Sequence, residues 1–181
     1  MKNAHVALVR GINVGPNKRV NMADLRALVE ELGYSDVRTL LNSGNVVFSS
    51  SPAKSKDAAS RIEKALEQKV GVSARVVVMS ADELAAAVEE NPLATIADNA
   101  SRLLLGVMAD PTDKKKLSDI TRQDWGQERI ALGASRAVYM WMPKGVIESK
   151  LNAAVSKALG EGVTTRNWAT ILKLRDMTGA P

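Results

Sequence analysis

The stretch RGINVGPNKRV, residues 10–20, brings three cations (Arg10, Lys18 and Arg19), two asparagines, two glycines and a proline into eleven residues. A glycine-rich connection from a strand to a helix can aim backbone N–H groups at an anion, and flanking cations add charge. Two other segments offer donors of the same kind. NSGN, residues 42–45, carries two amides and a hydroxyl, and TTRN, residues 164–167, sets Arg166 between hydroxyls and an amide. Brought together, these segments would make a polar, cationic pocket between two halves of the chain, suited to a small anionic or phosphate-bearing ligand. Its binding residues would be Arg10, Asn13, Asn42, Asn45, Thr165, Arg166 and Asn167. The plainer alternative is that Gly11, Gly15 and Pro16 only shape a turn, that residues 42–45 only connect a hairpin, and that Thr165 only caps a helix anchored by Trp168.

Other chemistries are poorly served. The loop lacks the lysine and hydroxyl that a P-loop sets at the helix start, and no GxGxxG is present. The absence of cysteine removes thiolate nucleophiles, disulfides and thiolate metal sites. His5 is the single histidine, lies in an expected strand, and has no GxSxG elbow to serve, so it reads as structural. The acidic residues form no cluster with metal-ligand spacing. No catalytic residue, metal or cofactor is therefore assigned; if a reaction occurs, the fitting contribution is electrostatic stabilisation by the donors above.

The net charge of +5 is spread along the chain and makes no dense basic stripe. Residues 114–116, KKK, read as a solvated face. Aromatic residues are only 3%, and Phe48 alone would stand on a central strand of the first half, so a base-stacking RNA reader is disfavoured. Two alternatives to the small-ligand reading remain: contact with nucleic-acid phosphates through Arg10, Lys18, Arg19 and the lysine run, and a protein-interaction module without catalysis. No run of about 18 apolar residues exists, and the first apolar run is cut by Arg10, so neither a membrane partner nor a leader is expected. A cytoplasmic location follows as the default.

The elements that must position these residues alternate in type. Residues 5–10 form a strand. Asn21 caps a helix carrying Leu25, Leu28, Val29 and Leu32 at helical spacing, ended by Gly33. Strands at 36–41 and 46–50 flank NSGN. A helix from Ser55, a strand at 74–79 and a helix opened by the capping box SADE, residues 80–83, complete the first half. The order β-α-β-β-α-β is that of a ferredoxin-like, or split β-α-β, unit. The second half repeats it in kind, with a strand at 102–109 and a short helix capped by Asp110. A hairpin at 129–142 and a helix from Val146 with Ile147 on its buried side follow. Where a fourth strand would come, the chain offers Gly160, Gly162 and a terminal helix started by Thr165. The expected division is residues 1–91 and 92–181, giving an α+β protein of two subdomains. In the strand around Tyr139 and Trp141 both faces are apolar, which argues that it is buried.

VALVRGINVG, NMADLRALVEELGY, VRTLLNSGNVVF and TTRNW together resemble the bacterial family known as domain of unknown function 1697. The resemblance implies a pair of α+β subdomains, each related to the ferredoxin-like fold, and supplies no catalytic residues. Members commonly carry a second glycine where this chain has Pro16. Proline lacks the N–H and fixes φ, which works against an anion nest running through that position.

Overall fold

The computed structural model describes residues 3–179. They divide into two units: residues through Ala85 together with those from Leu174 onward, and Ala86–Lys173. Each unit is built on one four-stranded antiparallel sheet.

In the first unit, β1 (Asn3–Val9) leads through the glycine-containing loop to α1 (Met22–Glu31). The Asn21 side chain accepts from Ala23 N at 2.8 Å and so starts that helix where the sequence expects it. β2 (Ser35–Leu40) and β3 (Asn45–Ser50) follow, then α2 (Pro52–Ser55), α3 (Ala58–Ala65) with a π turn after it, β4 (Val76–Ser80) and α4 (Ala81–Glu89). The expected helix from Ser55 is thus two pieces, the first begun by Pro52 at its opening position. Reciprocal bonds between Ser80 and Glu83 make the capping box that opens α4. The strands lie in the order β2-β3-β1-β4, with the two non-sequential neighbours β3 and β1 at the centre. Alternation along each strand sends Ala7, Val9, Val46, Phe48 and Val76 toward Leu25, Leu28, Ile62 and Leu66 of the helical layer. Val6, Leu8, Val47, Val77 and Met79, which point to the other face, are buried as well. His5 is structural: its ring stacks on Phe48 at 5.6 Å, and Nδ1 lies 2.8 Å from Asn3 O. Phe48 itself has no exposed surface, so no base could stack on it.

The second unit runs β5 (Leu103–Met108), a 3-10 turn at Pro111–Leu117, α5 (Ser118–Arg122), β6 (Arg129–Leu132), β7 (Ala137–Trp141), α6 (Lys150–Leu159), β8 (Val163–Asn167) and the start of α7 (Trp168–Thr178), whose residues from Leu174 belong to the first. Its strand order, β6-β7-β5-β8, repeats that of the first sheet. The expected gap is therefore filled: residues 163–167 form the fourth strand, and the terminal helix starts later than Thr165. The helix cap is Asn167, whose Oδ1 accepts from Thr170 N at 2.9 Å. The reason lies in β5, buried along its whole length. Its outer row of peptide groups needs partners, and the β-branched Val163, Thr164 and Thr165 supply them by pairing with Met108, Val107 and Gly106.

Two smaller expectations also change. Ile147 is fully exposed, because α6 begins only at Lys150 behind the Ser149 cap, so its buried side is Leu151, Val155 and Leu159. Lys114 is no solvated charge: its Nζ donates to the carbonyls of Gly133 and Ala134 and clamps the β6–β7 turn. β7 is buried on both faces, as its composition implies. Among the described residues, no helix is long and apolar enough to cross a membrane.

Candidate functional site

In the first unit the loop after β1 and the turn after β2 meet through one side chain. Asn13, at φ +56°, donates from Nδ2 to Val20 O at 2.8 Å and to Asn42 O at 2.7 Å, while its Oδ1 accepts from Val20 N at 2.9 Å. A short amide side chain tolerates this left-handed backbone better than most, and here it takes the place of a second strand of backbone bonds. The turn is drawn in from the other side by Gly44. Val9 N donates to Gly44 O at 2.8 Å, and a Cβ on Gly44, which sits at φ +83°, would lie 2.7 Å from Ile12 Cδ1 and 2.9 Å from Val9 Cβ. Only glycine fits.

The result is an open hollow of ≈450 Å³ lined by Asn13, Arg19, Val20, Asn21, Met22 and Asn42. Asn21 and Met22 at the start of α1 form one wall, which brings the positive end of the helix dipole to the hollow. Arg19 stands exposed on its rim, and Asp24, also exposed, places a carboxylate in the first turn of α1. Left-handed backbone is concentrated here, at Gly11, Asn13, Gly15, Lys18, Leu41 and Gly44.

The expected binding residues fall as follows. Asn13 and Asn42 are brought together at this hollow. Asn45 is buried, and its Nδ2 donates to Leu40 O and to Ser43 Oγ at 2.8 and 2.9 Å, which holds the turn closed. Arg10 is half-buried at the end of β1, its backbone N–H bonded to Arg75 O. In the second unit Thr165, Arg166 and Asn167 are consecutive on β8 and half-buried. Arg166 donates from its guanidinium to Thr165 O at 2.8 Å, and burial pulls its pKa down to about 10. Arg19 and Asn21 also line the hollow; the sequence offers Arg19 as a flanking cation and a phosphate contact outside the expected binding set, and Asn21 only as a helix cap. The signal was there in their position: both lie within three residues before α1, where the positive end of the helix dipole is concentrated.

Among the described residues no group of three or more acidic or histidine side chains is placed to hold a metal ion. The arrangement offers N–H donors and cations, without a nucleophile–base pair.

No curated protein matches the chain. Over 98% of its length it is similar in structure to the conserved bacterial protein SP0830 from Streptococcus pneumoniae, of which 99% is covered, with a TM-score of 0.79 and 22% identity. That likeness is one of fold. A family model described as "Protein of unknown function (DUF1697)" matches residues 1–139, which takes in the loop, the α1 cap and the NSGN turn. The chain belongs to this family, DUF1697.

Proposed function

We propose that this chain is a cytoplasmic pair of ferredoxin-like units that binds a small anionic or phosphate-bearing ligand through its cations and amides. The observation that carries the reading is the hollow at the start of α1, where Asn13 holds loop and turn together beside Arg19. A helix N-terminus with an adjacent arginine suits a phosphate or carboxylate. Asn42 supplies an exposed amide at the rim. Arg10 in the first unit and Arg166 in the second are proposed as further contributors of charge.

The test is a thermal-shift and calorimetric screen with inorganic phosphate and nucleotides on wild type, Arg10→Ala, Arg19→Ala and Arg166→Ala. Stabilisation of wild type that shrinks in the variants supports the proposal. A wild type indifferent to every anion sinks it. Binding restricted to long polynucleotides, falling steeply with added salt, would favour the nucleic-acid alternative.

One observation favours a second reading. Val14 on the loop and Leu41 on the turn are 77% and 54% exposed. Apolar side chains left in water on a loop and a turn suit a protein partner, which a pull-down lost in Val14→Ser with Leu41→Ser would reveal.

A further inference from the structure

TTRN is a strand in this protein, and that changes which of its side chains share a face. In a helix cap Thr165 and Arg166 would act together. In a strand, positions two apart do. Thr165 therefore points to the helical layer: its Cγ2 lies on the same side of the sheet as Val138 and Val163, near Gly106. Asn167, on that side too, spends its Oδ1 on capping α7. Thr164 and Arg166 occupy the opposite face. Register sets Thr164 beside Val107, with Ala137 beyond it on β7, and Arg166 beside Leu105, with Tyr139 beyond it.

Thr164 is only 1% exposed, and its Oγ1 has no hydrogen-bond partner among the described residues. An unbonded buried hydroxyl costs about 1–3 kcal/mol, so native chains rarely leave one without reason. It sits on the outermost strand of the sheet, two positions from a cation, on the margin of a face otherwise lined by apolar groups. We infer that Thr164 and Arg166 form an anion-receiving pair of their own in the second unit, Thr164 Oγ1 donating to one oxygen of the anion while the guanidinium carries the charge. Thr165 and Asn167 then serve the fold. Because Thr164 Oγ1 is closed off in the unliganded chain, the bound oxygen takes the place of atoms that now cover it. The inference rests on the anion-binding reading above.

The test uses the full chain and inorganic phosphate as probe, titrated by calorimetry and thermal shift against wild type, Thr164→Val, Thr164→Ser, Thr165→Val and Arg166→Ala. The expected result is phosphate affinity weakened by about tenfold or more in Thr164→Val, as for a lost bond to a charged group. Thr164→Ser and Thr165→Val should stay near wild type. Without phosphate, Thr164→Val should melt at or above the wild-type temperature, since it removes an unsatisfied hydroxyl without changing shape; a clear fall would show that the hydroxyl is bonded and overturn the inference. Wild type and Thr164→Val binding phosphate equally, with Arg166→Ala impaired, would overturn the role of Thr164 and leave the anion-binding reading standing. No phosphate response in wild type would overturn both.

Discussion

Asn13 Nδ2 donates to Asn42 O at 2.7 Å, so one amide ties the loop after β1 to the turn after β2 across 29 positions of sequence. The same side chain also closes the loop on itself through Val20. Asn13→Ala removes all three bonds and leaves a side chain at a φ it adopts poorly. We expect a loss of about 2 kcal/mol or more in urea unfolding. Asn13→Gly should recover about 1 kcal/mol of that, because glycine accepts the left-handed backbone. Equal unfolding midpoints for all three chains would show the clip to be idle.

Asn167, not Thr165, starts the last helix. Asn167→Ala should therefore destabilise the protein by about 0.5–2 kcal/mol, the usual cost of a lost cap. Thr165→Ala should show no loss of capping; amide exchange in the first turn of α7 distinguishes the two, rising only in the first variant.

Charge at the α1 hollow offers a test in both directions. Arg19→Ala should weaken phosphate-dependent stabilisation, while Asp24→Asn, which removes the opposing carboxylate from the first turn, should strengthen it. Both effects should fade as ionic strength rises. If the two variants shift phosphate binding in the same direction, the site lies elsewhere.

Tyr139 makes a pH-dependent contribution. Burial, with the Glu90 carboxylate beside it, raises the phenol well above its ordinary range, and its OH donates to Ala87 O at 2.7 Å. The unfolded chain ionises this group near pH about 10, whereas the folded chain keeps the proton. The unfolded state then binds fewer protons, so stability is fully present below about pH 10 and is lost as pH rises beyond it. Tyr139→Phe should cost about 1 kcal/mol at neutral pH and flatten that alkaline decline, leaving the part due to Tyr34, whose pKa is also raised by burial. An unchanged slope in guanidinium unfolding between pH 9 and 11 (roughly one unit either side of the free phenol) would refute the assignment.

Local chemistry was readable in the sequence. Asn21, Asp110 and the Ser80–Glu83 box cap helices as their types and spacing imply, because a cap is satisfied within three residues of itself. Hairpin strands around NSGN and around residues 134–136 were equally legible, since short turns pair neighbours. Ile147 was misread for a related reason. Its apolar character fits a helical face, but Ser149 starts the helix two residues later and leaves it in water.

The sequence by itself determined the element order of the first unit, the α+β class and the polar character of the three motif segments, all of which follow from contacts between near neighbours. Tertiary structure decided that Thr164 and Arg166 share a face, that Asn13 reaches Asn42, and that Lys114 clamps a distant turn. Threonines before a tryptophan suit a helix cap and a strand equally. The choice was made by β5, some 60 residues earlier (Leu104 opposite Asn167), whose buried peptide groups are satisfied only if residues 163–167 lie alongside it.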